Sequence, residues 1–136
     1  MQEESVVYGC IKDTVYEQDV AARVQVNCRA LESLPAAEDW PLLSREMFAT
    51  TRHATDIDLH TEVVHFGASY SGIEYEWQLW LEQFEALLRK MYWVSVSVQL
   101  ETEMSGTHSF TWYTNDEYHK PGSSDIQLRC EWVHDA

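Results

Sequence analysis

The chain has 136 residues, with 23 Asp and Glu against 9 Lys and Arg and a formal net charge of -14. That length suits one domain able to bury a core without disulfides or a metal, and a hydrophobic content of 45% excludes a disordered chain. The charge repels nucleic acid and anionic lipid and so excludes both as direct partners. It reads either as solubility or as a surface that attracts a basic protein.

Residues Ser5 to Lys12 read as a first strand, with Val6, Tyr8 and Cys10 on one face and Val7, Gly9 and Ile11 on the other. Both faces are fairly apolar, which predicts a central position. Thr14-Val15-Tyr16-Glu17 is a capping-box pattern. Tyr16, Val20, Val24, Cys28 and Leu31 then recur at helical spacing until Pro35, predicting a helix over 16–34. Asp39-Trp40-Pro41 opens a short helical piece that reaches Phe48. A strand follows from about Thr55 to Ala68, with Ile57, Leu59, Thr61, Val63 and His65 sharing one face.

Ser71-Gly72-Ile73-Glu74 is a second capping-box pattern, and a broad stripe of Ile73, Trp77, Trp80, Leu81, Phe84, Leu87, Leu88 and Met91 predicts a helix over 73–92. Glu74 and Glu76 in its first turn and Arg89 and Lys90 in its last complement the helix dipole. Val94, Val96, Val98 and Leu100 alternate with Ser95, Ser97, Gln99 and Glu101, a half-buried strand with one wet face. After a turn at Met104-Ser105-Gly106, His108, Phe110 and Trp112 alternate on the return strand. A polar loop runs from Asn115 to Asp125, and Ile126, Leu128, Cys130 and Trp132 give a last strand. The order β-α-β-α-β-β-β over residues 1–136 predicts a single α+β domain. Its architecture is a two-layer sandwich, a mostly antiparallel sheet with both helices on one face.

Cys10, Cys28 and Cys130 are odd in number and widely spaced, so no disulfide framework or zinc ribbon can be read. All three fall on apolar patterns and are expected as small buried hydrophobes. The start Met1-Gln2-Glu3-Glu4 lacks a basic and an apolar region, which predicts no export signal and a cytoplasmic protein. No apolar stretch is long enough for a bilayer.

Motifs for phosphate loops, dinucleotides, serine hydrolases and zinc proteases are missing. His53, Asp56, Asp58, His60, Glu62 and His65 form the best metal candidate. Strand alternation sends His60 and His65 to opposite faces, however, so a polar strand face is expected, with no metal and no cofactor. Cys130 with His134, or Cys28 with a distant histidine, lacks any supporting flank as a nucleophile and base. Glu101 and Glu103 share a strand face as solvated acids. Six tryptophans supply large buried areas, and any left exposed would be an anchor. Tyr113, Tyr118 and Trp132 beside Asp116, Glu117 and Glu131 read either as core or as aromatic anchors in an acidic rim.

His65-Phe66-Gly67-Ala68-Ser69-Tyr70, Glu76-Trp77, Trp80-Leu81, Phe84-Glu85-Ala86-Leu87-Leu88, Tyr92-Trp93 and Glu101 together resemble small proteobacterial immunity proteins. Such proteins are encoded beside Rhs-type or type VI secreted toxins. The resemblance spans residues 62–112, about a third of the chain. It implies a short, non-enzymatic inhibitor that occludes a toxin's active site, and it defines no binding residues. The expected partner is therefore a cognate toxin or another basic protein. The expected surface is the wet face of the meander and the 115–119 loop: Glu101, Glu103, Asp116, Glu117 and Tyr118. A regulatory or scaffold protein for a different basic partner is the alternative, followed by a metal-dependent enzyme using His53 to His65.

Overall fold

The computed structural model describes residues 4–14, 20–39, 41–50, 61–103, 105–123 and 126–133. They form β1 (Glu4–Thr14), α1 (Val20–Glu32), β2 (Phe48–Thr50), β3 (Thr61–Ser71), α2 (Trp77–Leu88), β4 (Ser95–Thr102), β5 (Gly106–Tyr113) and β6 (Gln127–Val133). One antiparallel sheet of order β2-β3-β1-β4-β5-β6 carries both helices on one face. This is the α+β sandwich that alternation and helical spacing predict, with β1 central and β4-β5-β6 as a meander. The short edge strand β2, paired with β3 through Phe48, Ala49 and Thr50, is an addition. Where one helical piece was expected before Phe48, there are 3-10 turns at Ala37–Asp39 and Arg45–Met47.

Aromatic rings carry the core between the layers. Phe84 is fully buried, with ring centroids 5.2 Å from Phe66, 5.0 Å from Trp80 and 5.1 Å from Trp112. Trp77 extends the chain by stacking on Trp80 at 4.8 Å and reaching Phe110 at 5.1 Å. Phe66 can lie across β1 because its cross-strand neighbour there is Gly9. A Cβ at Gly9 would sit 2.9 Å from the Phe66 ring and overlap the Ser97 carbonyl.

Two local expectations fail for identifiable reasons. Ser71 ends β3 instead of capping a helix, and Gly72 turns the chain at φ 67° into a 3-10 turn, Ile73–Glu76, ahead of α2. Glu74 is thereby free to accept a hydrogen bond from the buried hydroxyl of Ser5 on β1, tying this turn to the sheet. Thr14 of the first capping box ends β1, and residues 15–17 of that box lie outside the described residues, as do Trp40 and the 55–60 part of the expected strand.

The second departure is in α1. Its apolar stripe of Val24, Cys28 and Leu31 is only half-buried, while Arg23, Asn27 and Ala30 point inward. Arg23 is 5% exposed and forks onto Asp13, 2% exposed, with Nε donating to Oδ2 at 3.1 Å and Nη2 to Oδ1. The guanidinium also lies 4.2 Å from the Tyr118 ring centroid and 4.9 Å from that of Tyr92. One turn on, Asn27 donates to the Tyr92 carbonyl at 3.0 Å and accepts from the Tyr92 N–H at 2.7 Å. Burial pushes the Asp13 carboxyl above its ordinary value, with Arg23 pulling the other way. Desolvation of the carboxyl thus outweighs the attraction to Arg23, as it can in buried pairs.

Breaking the pair and replacing it should therefore differ. Asp13→Ala leaves a buried guanidinium unpaired and should cost about 3–5 kcal/mol, whereas Asp13→Leu with Arg23→Met should come within about 1–2 kcal/mol of the parent. Urea unfolding curves check both. Equal losses for the single and the double change would contradict the account.

Candidate partner-binding surface

Both helices lie on one face, so among the described residues the other face of the sheet is open, and strand register sets its side chains in rows. One row reads Ser69, Val6, Glu101 and Thr107 from β3 to β5. The next is Gly67, Tyr8, Gln99, Ser109 and Glu131. A third is Ala49, His65, Cys10, Ser97, Thr111 and Arg129. Hydroxyls and amides dominate and bond laterally: Ser109 Oγ donates to Gln99 Oε1 at 2.6 Å, and Cys10 Sγ is 3.5 Å from Ser97 Oγ. Val6 and Tyr8 are the large exposed residues near one end, at 38% and 39%.

Carboxylates gather at that end. Glu4 pairs with Ser71 at the last step of β3, and Ser5 pairs with Thr102. Glu101 faces Val6, Glu103 is exposed just past β4, and the Ser5–Glu74 bond brings in the 3-10 turn with Glu76. Tyr75 stands in the middle of that turn at 90% exposure, and Leu79 follows one helical turn later at 46%. Several of the described basic side chains lie at the opposite end. Lys12 lies two residues before the end of β1, at the far end of the sheet, where Arg89 and Lys90 follow α2 and the Arg89 carbonyl accepts from Gly122 N–H beside Lys120. These carboxylates form an acidic pole that carries the exposed Tyr75 ring.

The five residues expected to bind a partner fall into two groups. Glu101 and Glu103 belong to the pole. Asp116, Glu117 and Tyr118 adjoin His119, which bridges to Trp93 just before β4 begins. Glu101 lies eight residue steps beyond Trp93, roughly 26 Å along an extended strand at ~3.3 Å per residue. The 115–119 loop is firmly built. His119 is buried, stacks 4.8 Å from Trp93, and places Nδ1 2.9 Å from the Met91 carbonyl oxygen and Nε2 3.2 Å from that of Ser123. Asp116 and Glu117 are exposed, but Tyr118 is half-buried over Arg23 with Lys120 Nζ 5.6 Å from its ring, so acids and bases mix there. Glu4, Glu74, Glu76 and Tyr75 were not among the residues expected at the surface. Their signal was present, because the Ile73, Trp77, Trp80 stripe turns residue 75 outward.

His53, Asp56, Asp58 and His60 lie outside the described residues; His65 is exposed on the open face opposite Cys10. Among the described residues no three metal-ligating side chains converge. Cys10 and Cys28 are half-buried, and Cys130 is exposed, correcting the expectation that all three are buried. Partial burial nevertheless raises the Cys130 thiol above its usual value, away from the thiolate a nucleophile needs; His134 lies outside the described residues. Tyr113 is 41% exposed on the open face. No helix among the described residues is long and apolar enough to cross a membrane. No family model matches the chain, and neither a characterised protein nor a solved structure is significantly similar to it.

One bond of the pole is open to direct titration. Tyr8 Oη donates to Glu101 Oε1 at 3.0 Å, and this bond, then desolvation and the carboxylate charge, raises the phenol above its ordinary value. The folded protein holds this proton more tightly than the unfolded chain does. The contribution to stability is therefore complete below the unfolded phenol value and is lost as pH rises through the folded one. Tyrosinate absorbance, taken as a difference against Tyr8→Phe, should show Tyr8 titrating late in the parent and nearer its ordinary value in Glu101→Gln. An unchanged titration in Glu101→Gln would remove Glu101 as the cause.

Proposed function

We propose that this domain is a non-enzymatic acidic binding protein, an immunity protein that neutralises a cognate bacterial toxin in the cytoplasm by occluding its active site. The acidic pole carries this reading: Glu4, Glu74, Glu76, Glu101 and Glu103 surround one end of the sheet, with Tyr75 90% exposed among them. A toxin that handles a polyanion needs a basic groove, and a -14 inhibitor offers that groove charge of the right sign. Aromatic anchors supply most binding energy in such interfaces, while rim charges set encounter rate and partner choice. The likeness of residues 62–112 to immunity proteins encoded beside secreted toxins favours a toxin over other basic partners.

Separation of the two acidic groups allows them to be tested one at a time. The partner to use is the toxin encoded in the neighbouring gene, with protection scored on co-expression and kinetics measured on the purified pair. Reversing Glu76, Glu101 and Glu103 to Lys should slow association ~10- to 100-fold, the range over which steering acts. Reversing Asp116 and Glu117 should slow it far less. Raising ionic strength from about 0.01 to about 0.15 M shrinks the Debye length from about 30 to about 8 Å and should slow association while dissociation changes little. Equal killing with and without this protein would end the immunity reading. Loss of protection on reversing Asp116 and Glu117 alone would move the surface to the loop.

A further inference from the structure

Strand β6 closes the sheet with a bare outer edge: it follows β5 in the strand order, and among the described residues nothing pairs with its far side. Over Gln127–Val133 it holds no proline, glycine or bulge, devices that commonly blunt an edge. Its residues opposite Phe110 and Trp112 are Cys130 and Leu128, on the helical face of the sheet, yet Leu128 is 36% exposed and Cys130 is exposed. On the open face Arg129 and Glu131 stand two residues apart, their side chains 72% and 63% exposed and Arg129 Nε 3.4 Å from Glu131 Oε1.

We propose that β6 pairs antiparallel with β6 of a second copy about a two-fold axis at Cys130, making one sheet continuous through both copies. Such an axis, perpendicular to the sheet, keeps every side chain on its own face. Directly opposed residues of an antiparallel pair share a face, so only registers joining residues of equal parity are possible. Centring on Arg129 sets guanidinium against guanidinium, and centring on Glu131 sets carboxylate against carboxylate; each also leaves two residues of the strand unpaired. Centring on Cys130, the midpoint of Gln127–Val133, pairs the whole strand. It sets Arg129 of each copy against Glu131 of the other, and Leu128 against Trp132. Charge and length thus select the same register. The two open-face concavities lined by Ser109, Thr111, Tyr113, Arg129 and Glu131 would then meet at the axis. One seven-residue edge buries less than the roughly 1,200 Å² of stable complexes, and two chains of -14 repel, so the dimer should form reversibly with concentration. This surface is separate from the acidic pole and can fail without it.

The register makes Cys130 its own neighbour, with Cα atoms about 4.5–5.5 Å apart, inside the about 4.4–6.8 Å span a disulfide requires. A chain with Cys10→Ser and Cys28→Ser keeps Cys130 alone. Diamide, taking one hydrogen from each thiol, should link it into a dimer of twice 15.9 kDa on a non-reducing gel. Adding Arg129→Glu opposes carboxylates in both pairs and should cut linkage at least tenfold; adding Glu131→Arg as well restores complementarity and should recover it. Light scattering on the Cys130→Ser chain should show the same loss and recovery without any covalent trap. A monomer at every concentration up to ~1 mM, or a dimer indifferent to Arg129→Glu, would overturn the proposal. So would failure of the double exchange to restore pairing.

Discussion

Six strands spaced about 4.8 Å apart span roughly 24 Å, while two helices about 10 Å across cover roughly 20 Å. The core face of this sheet is therefore slightly wider than its helical cover, and the other face has no cover among the described residues. Most surface features follow from that shortfall. Leu128 and Cys130 carry a core-facing pattern but lie past the helices, which is why they remain exposed. The uncovered face is built of hydroxyls, amides and a few aromatics, a composition that tolerates water without losing strand pairing. Function has three places to reside: that face, the β6 edge, and the poles where strands and helices end.

Because the cover is so thin, the placement of α1 matters, and it is set by polar groups. Arg23 and Asn27 sit one turn apart and bind partners of fixed direction, a carboxylate on β1 and the backbone of Tyr92. Sliding α1 by a turn would strand a buried guanidinium and a buried amide together. Apolar side chains alone would accept many offsets; these two accept one. The opposed effects on Asp13 argue for a constraint on geometry more than a source of net stability. The aromatic core has its own cost, since the indole N–H groups of Trp77 and Trp112 are buried without an acceptor among the described residues.

Periodicity made β1, β4, β5 and α2 legible because their patterns are dense and local. Val96, Val98 and Leu100 are buried and α2 buries Trp80, Phe84, Leu87 and Leu88, as alternation and helical spacing require. What stayed hidden was long-range. Nothing near Arg23 announces that Asp13, Tyr92 and Tyr118 will surround it, so the apolar stripe beside it looked like the inner face. Ser71 and Glu74 have capping-box spacing, but Gly72 adopts a left-handed turn and Ser5 claims the carboxylate. The candidate surface was half legible for the same reason. Glu101 and Glu103 were found from alternation, whereas their gathering with Glu4, Glu74 and Glu76 depends on β1 lying beside both β3 and β4.

The proposed immunity role thus rests on topology as much as on charge: strand register and the turn after β3 bring Glu4, Glu74, Glu76, Glu101 and Glu103 to one end of the sheet. Hydrogen–deuterium exchange on the complex with the neighbour-encoded toxin tests this most directly, since it reports the footprint without altering a residue. The account predicts slowed exchange over 73–79 and through the 102–107 turn, with 115–120 unchanged. Protection of 115–120 with the 73–79 and 102–107 segments exchanging as in the free protein would contradict it.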